Sequence, residues 1–336
     1  MRLTFGLVLD FSTPARTIGE QIDRYRGVIA AADRYGFDSI TMGEGYSTRP
    51  DFGHTPAPFL VLAALAPLTK MRLGTGVTLL PAWHPLKLAY DTAVLDQLTG
   101  GRLIFGAGLG PPGLGRRFGN NTEPTGKFAD DMLAALRALW GGQNGFTGKR
   151  LTVEGAIGTR PVQPQGPPIW VGGSVQASAE RAATLGDGYI GSTSQSFEQV
   201  AQMGERYRSA LRSRGKDAGS AVVASNRLTL LAETEAEAHE IAEEYVGEVL
   251  AFYARRGAQM PKDSNTASKA AAALFHEMDE SRCLVGTPDR VIERAKKYEA
   301  AGVTHILARL VPHDIPAEHA LRTVELLGKH VLPEFR

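Results

Sequence analysis

The sequence predicts a (β/α)8 barrel, and three observations carry that prediction. Short apolar runs of strand length alternate with helical patterns along the chain, and eight β-then-α units can be laid out in order. Residues 71–110 form one complete βαβ unit: a β-rich segment at 72–80, the turn Pro81-Ala82-Trp83-His84-Pro85, an amphipathic helix over 86–98, Gly100-Gly101-Arg102, and a second strand at 103–110. Glycines interrupt these two strands toward their carboxyl ends, Gly76 in the first and Gly106, Gly108 and Gly110 in the second. Glycine weakens a strand, so its presence there marks a bulge or a place where a ligand approaches the backbone. The carboxyl ends of strands are where parallel α/β proteins bind ligands.

The elements follow in sequence. Strand one is the apolar run 3–9, and a helix covers 18–35. Strand two is Ser39-Ile40-Thr41-Met42, followed by a helix over 57–67. The unit just described supplies strand three, helix three and strand four, and the fourth helix spans 128–140. Strand five is Ile169-Trp170-Val171-Gly172, with a helix at 176–185. Strand six is Gly188-Tyr189-Ile190-Gly191, with a helix at 197–214. Strand seven covers 222–231, and helical segments follow at 235–256 and 288–301. Strand eight is His305-Ile306-Leu307-Ala308, and a last helix covers 317–327. The whole chain, 1–336, reads as one barrel domain with two stretches that depart from the alternation. Residues 111–166 are rich in Gly and Pro, with a hairpin signal at 146–153, and residues 257–283 form a long insertion between helices. Segments of this length in a compact domain are usually functional, often lids.

Composition narrows the function. The apolar fraction is 43% and the formal charge +1, so nothing draws the chain toward nucleic acid or an anionic membrane. No apolar run approaches the ~18 residues that span a bilayer. The N-terminus lacks a small-residue cleavage site and reads as a strand, not a signal peptide. Cys283 is the one cysteine, which excludes an intramolecular disulfide or a thiolate-rich metal site and fits a reducing cytoplasm.

In a barrel the residues that end the strands carry the chemistry. Here they are Asp10, Glu44, Thr78, Gly108 to Gly110, Gly172 to Ser174, Ser192 and Arg309. The clearest segment is Ile169-Trp170-Val171-Gly172-Gly173-Ser174-Val175-Gln176-Ala177-Ser178: strand, two glycines, a hydroxyl, then a helix. Free N–H groups and a positive dipole end make such a helix start an anion site, with Ser174 and Ser178 as added donors. The plainer alternative is that Ser174 is an N-cap. Eight histidines are scattered without metal-ligand spacing, and no metal site is expected. His84, before Pro85, either touches a ligand or caps a helix. His54 faces either the pocket or solvent. Glu44 is either functional or part of a rim salt bridge. Tyr46 and Trp83 line an aromatic pocket or pack loops, and Arg116, Arg117 and Lys127 are solvated or meet an anion.

Three motifs resemble the luciferase-like flavin-dependent monooxygenases and oxidoreductases, a family that includes bacterial luciferase and deazaflavin-dependent reductases and dehydrogenases. The first runs from Leu73-Gly74-Thr75-Gly76-Val77 through His84-Pro85 to Leu95-Asp96-Gln97-Leu98-Thr99-Gly100-Gly101-Arg102. The second is Phe105-Gly106-Ala107-Gly108-Leu109-Gly110. The third joins Pro167-Pro168-Ile169-Trp170-Val171-Gly172-Gly173-Ser174 to Ala182-Ala183-Thr184-Leu185-Gly186-Asp187-Gly188-Tyr189. Their order and spacing match over residues 3–327.

The resemblance implies a barrel with a flavin ring at the carboxyl ends of its strands. It puts a non-prolyl cis peptide at Gly76–Val77, behind the flavin ring, and counts Gly76, Val77, Thr78, Gly108 and Gly110 among the cofactor-binding residues. It puts the flavin phosphate on Gly173, Ser174, Val175 and Ser178, and a further flavin contact on Ser192. Two departures stand out. Bacterial luciferase has a histidine directly after the strand-two glutamate, whereas here Gly45 and Tyr46 follow Glu44. The family's arginine before the fourth helix is replaced by Pro124-Thr125-Gly126-Lys127-Phe128, where only Lys127 can stand in.

The expected function is a two-component monooxygenase. A separate reductase supplies reduced FMN, O2 oxygenates a small organic substrate, and the two long segments exclude water. Glu44, His54 and His84 are the catalytic candidates, with Tyr46 and Trp83 at the substrate. One alternative is hydride transfer with the deazaflavin coenzyme F-420, its tail near Arg116, Arg117 or Lys127. Another is a flavin-binding protein without turnover. Family resemblance also implies a homo-oligomer.

Overall fold

The structure is a computed structural model that describes residues 2–11, 16–46, 55, 57–120, 126–255, 275–276, 279–310 and 315–336. The parallel strands β1 (Thr4–Val8), β2 (Ser39–Met42), β3 (Arg72–Thr75), β4 (Thr78–Leu79) and β5 (Leu103–Gly108) occupy the first third of the chain. A small antiparallel hairpin, β6 (Gly145–Thr147) and β7 (Thr152–Glu154), follows outside the main sheet. The rest are β8 (Ile169–Gly172), β9 (Gly188–Gly191), β10 (Val222–Leu231), β11 (Cys283–Gly286) and β12 (His305–Leu310). Around the sheet the order is β1-β2-β3-β5-β8-β9-β10-β12, and β12 pairs back onto β1, closing the expected barrel of eight positions.

The helices form where the sequence supplies stops and caps. They are α1 (Ile18–Tyr35), α2 (Pro58–Leu65), α3 (Pro85–Thr99), the short α4 (Leu114–Arg117), α5 (Gly126–Trp140), α6 (Gln176–Leu185), α7 (Phe197–Arg212), α8 (Glu235–Arg255), α9 (Pro288–Ala300) and α10 (Ala317–Leu326). A capping box of Thr17 and Glu20 opens α1, and Ser196 and Gln199 do the same for α7. Gly36 and Gly100 end α1 and α3 in the left-handed conformation that suits glycine.

Side chains fill the barrel in two shells. Val8, Ile104, Trp170, Ile190, Ala224 and Leu307 pack inside it, so it is a core and not a pore. A larger apolar layer, including Leu62, Leu73, Phe105, Met132, Leu136 and Val171, lies between strands and helices.

Three details differ from the sequence expectation. The strand expected at 72–80 is interrupted: β3 ends at Thr75, the Gly76–Val77 peptide is cis, and β4 then pairs with β5. The 111–166 stretch contains α4 as well as the expected hairpin. The 257–283 insertion ends in a strand, β11, which pairs with the far half of β10 outside the barrel. Most of that insertion, and His54, lie outside the described residues.

Candidate functional site

At the carboxyl ends of the strands lies a cavity of ≈ 1260 Å3. Its wall takes residues from the ends of β1, β2, β3, β5, β8, β9, β10 and β12, so every position of the barrel contributes. Among the described residues no helix is long and apolar enough to cross a membrane.

One wall is nearly free of side chains, for a reason the sequence hid. Gly76, Gly108 and Gly172 line the cavity, as does Val77. A Cβ on Gly106 would overlap the Thr75 carbonyl, and one on Gly108 would lie 2.6 Å from Val77 Cγ2. A Cβ on Gly172 would stand 3.0 Å from Val77 Cγ1. These glycines therefore make room for the Thr75–Val77 segment, and Val77 rises over them as a small apolar platform facing the cavity. Gly110 has φ +65 and lines the wall beyond, where the chain turns toward α4.

The adjoining wall is polar. Glu44 is 8% exposed and its carboxylate is well served: Leu79 N donates to Oε2 at 2.5 Å, Trp83 Nε1 to Oε1 at 2.9 Å, and the Tyr46 hydroxyl to Oε1. Its own N–H donates to the Val77 carbonyl at 3.2 Å. Glu44 thus grips the chain on both sides of Val77. Burial pushes the Glu44 carboxyl above the usual carboxylate range. Burial, reinforced by the neighbouring Glu44, also raises Tyr46, which keeps its proton. Glu44 and Tyr46 line the cavity, whereas Trp83 packs behind them against Phe59, ring centroids 5.1 Å apart.

The third wall is the start of α6. Gly173 has φ +152, a backbone only glycine adopts freely, and a Cβ there would overlap Ser178 Oγ. The N-cap of α6 is Val175, not Ser174, and no side chain caps its N–H groups. Gly173, Ser174, Val175 and Ser178 all face the cavity, and Arg181 joins them while its Nε donates to Asp130 Oδ1 at 2.6 Å. Ser192 lies alongside, its Oγ 2.7 Å from Ser194 Oγ. Lys127 sits in a second cavity of ≈ 460 Å3 with Arg150 and Asp130, and Arg181 borders both cavities.

Asp10 and Arg309, from β1 and β12, close the remaining side as an ion pair with Arg309 Nη2 2.6 Å from Asp10 Oδ2. Three further polar groups of the cavity were missed in the sequence. Thr55 Oγ1, Thr193 Oγ1 and Asn226 Oδ1 line it, are buried, and have no hydrogen-bond partner among the described residues. Buried polar atoms are normally paired, so these three are poised for a ligand or water. The only signal for Asn226 was a polar residue midway along the long strand seven.

Other candidates sit elsewhere. His84 is exposed at the N-cap of α3, off the cavity wall, with no side-chain cap bond. Thr78 is fully buried and donates to Thr75 Oγ1 at 2.9 Å, inside the strand layer. Arg116 and Arg117 reach the cavity mouth, and Arg117 Nη1 donates to the Tyr46 carbonyl at 2.9 Å.

A closed parallel barrel with an assembled cavity at its carboxyl end defines a (β/α)8-barrel enzyme. The chain belongs to the luciferase-like monooxygenase family, whose model matches residues 3–305, and it is an oxidoreductase of that family. The chain is 28% identical to the oxygenase component of a flavin-dependent trigonelline monooxygenase from Acinetobacter baylyi, over 100% of this chain and 96% of that one. It is 27% identical to an F420-dependent glucose-6-phosphate dehydrogenase from Nakamurella multipartita, over 91% and 90%. The crystal structure of the monooxygenase RslO1 from Streptomyces bottropensis superposes with a TM-score of 0.82 at 26% identity, covering 99% of this chain and 100% of that one. The relatives thus include both flavin- and F420-dependent enzymes.

Proposed function

We propose that this chain is the oxygenase of a two-component system, taking reduced FMN from a separate flavin reductase and using O2 to oxygenate a small organic substrate. The observation that carries this reading is the pairing, in one cavity, of a flat apolar platform with an uncapped helix start. The platform at Val77 suits one face of a planar ring, and the N–H groups at Gly173 to Ser178 suit a phosphate. The unpartnered Thr193 and Asn226 oxygens would meet the polar edge of such a ring, so the residues present fit FMN.

Reduced FMN, when bound, supplies the two electrons that send one oxygen atom of O2 to water while the other enters the substrate. The chain's own part is positioning and exclusion. Val77 and the glycine wall fix the ring plane, and Ser174, Ser178 and Ser192 orient the phosphate end. The 111–117 turn narrows the mouth against water. Tyr46 commits its proton to Glu44, which leaves its oxygen free to accept a hydrogen bond from a substrate O–H or N–H. Glu44 acts as the anchor of that tyrosine and of the platform, not as a free base.

A second reading has one specific observation behind it. The basic cavity of Lys127, Arg150 and Arg181 adjoins the helix start and would accept an anionic extension beyond a first phosphate, as a deazaflavin coenzyme carries. Hydride transfer without O2 would then replace oxygenation.

Equilibrium binding of reduced FMN, oxidised FMN and the deazaflavin coenzyme separates the two. Tightest binding of reduced FMN, weakened in Ser174→Ala and Gly76→Ala, together with substrate-dependent O2 consumption, is the expected result. Tight binding of the deazaflavin alone moves the assignment to hydride transfer, and no binding of any of the three refutes both.

A further inference from the structure

The Asp187-Gly188-Tyr189 segment ends in a fully buried tyrosine that the reaction does not use directly. Its hydroxyl donates to the Gly173 carbonyl at 2.8 Å. Gln195 Nε2 donates to the same hydroxyl at 3.0 Å, while Gln195 Oε1 accepts from Ser192 N at 2.9 Å. The Gln195 main-chain carbonyl accepts from Arg227 Nη1 at 2.6 Å. Arg227 is itself wholly buried, with Nε and Nη2 lacking partners among the described residues, and its guanidinium stands 5.3 Å from the Tyr298 ring centroid. A chain of hydrogen bonds therefore runs from a buried cation on β10 through the loop after β9 to the loop after β8.

The directions in this chain matter. A tyrosine has one proton, and two acceptors lie within its reach, the Gly173 carbonyl at 2.8 Å and Gln195 Oε1 at 3.2 Å, the second already accepting from Ser192 N; the shorter contact takes the proton, which points at Gly173 while Gln195 Nε2 donates to the oxygen. Burial raises Tyr189, which keeps that proton in place. A peptide is planar and trans, so a carbonyl and the N–H that follows it point in opposite directions. Holding the Gly173 carbonyl against Tyr189 therefore aims the Ser174 N–H away from the tyrosine. Ser174 lines the cavity, and its N–H has no partner among the described residues. The buried, unpartnered Thr193 oxygen, next to Ser192 on the loop that Gln195 ties down, points independently to a ligand in this cavity.

We propose that Tyr189 and Gln195 are positioning residues that lock the Gly173–Ser174 peptide with its N–H toward the cavity, and thereby set the affinity for the phosphate of the bound mononucleotide. The proposal rests on the reading of this end as the phosphate site. It also makes the loops after β8 and β9 one unit, because Gln195 ties Ser192 to the same tyrosine.

The test compares FMN with riboflavin, which has the same ring and no phosphate, by equilibrium binding to the full chain. Wild type is expected to prefer FMN. In Tyr189→Phe the FMN affinity is expected to fall by roughly three- to tenfold, the worth of one hydrogen bond, with riboflavin affinity unchanged. Gln195→Glu offers a second variant, because its carboxylate competes with Gly173 for the tyrosine proton; the same selective loss is expected. A Tyr189→Phe protein that keeps the full FMN preference overturns the positioning role. So does equal weakening of both flavins, which would make Tyr189 a general support of the fold. A wild type that binds both flavins equally, or neither, overturns the phosphate-site reading first and the proposal with it.

Discussion

Glu44 is a strand-end carboxylate whose oxygens are taken up by neighbouring donors. It is buried, and three donors from Leu79, Trp83 and Tyr46 converge on it. Removing it leaves two buried N–H groups unserved, each worth about 1–3 kcal/mol. Glu44→Ala is therefore expected to lose about 2–4 kcal/mol in urea unfolding, far more than a surface glutamate. Its titration has a defined sign. Burial holds the folded-state pKa above the unfolded value, so the folded protein binds the extra proton. The stability from this group is full below about pH 4.5 and is lost as pH rises through the folded pKa. Subtracting the profile of Glu44→Gln from that of wild type should expose that fall, and a flat difference would refute the burial argument. The position of Glu44 was legible because strand ends in a barrel can be counted from the hydrophobic pattern. Thr193 and Asn226 were not, since in the polar run Ser225-Asn226-Arg227 no alternation of apolar residues tells inside from outside.

At the scale of elements, glycines that look alike in sequence carry different loads. A Cβ on Gly106 meets the backbone of β3, which cannot move aside like a flexible side chain, whereas on Gly76 the nearest atom is Ile190 Cδ1 at 3.4 Å, an ordinary contact. Gly106→Ala is expected to part β3 from β5 and cost about 3 kcal/mol or more, with Gly76→Ala within about 1 kcal/mol of wild type. Similar midpoints for the two in thermal unfolding would contradict this account. The same scale explains the strand that the sequence pattern missed. β10 has ten residues where other barrel strands have four to six, and its excess length pairs with β11. A four-residue apolar run such as Cys283-Leu284-Val285-Gly286 is too short to be told from the start of the next helix by periodicity. The length of strand seven was the available clue, because a strand that outruns its barrel needs a further partner to cover its edge.

Over the whole molecule, the two ends of the barrel divide the labour. The carboxyl end gathers glycines, hydroxyls and a cavity, while the amino end is packed around a small polar cluster. There His305 sits against Trp170, ring centroids 5.1 Å apart, with Arg72 Nη2 3.1 Å from Nε2 and Thr304 Oγ1 2.8 Å from Nδ1. Arg72 can only donate, so Nε2 accepts and the ring is neutral with its proton on Nδ1. Charging Nε2 would aim a proton at a guanidinium inside the barrel. Burial, with Arg72 adding to it, lowers His305 to about 4, although Asp38 pulls the other way. A folded pKa below the unfolded value means that the stability from this group is present above about pH 6.5 and is lost as pH falls toward 4. This slope is opposite in sign to that of Glu44, so each is read from the difference between wild type and its own variant. Urea unfolding of His305→Gln against wild type, from pH 7 to pH 4, is expected to narrow the stability gap between them as pH falls. Affinity for whichever of FMN and the deazaflavin coenzyme the chain binds should stay unchanged at pH 7, because the histidine lies at the opposite end of the barrel from the cavity. A variant that shifts flavin affinity as strongly as stability would mean that the two ends are coupled through the packed interior.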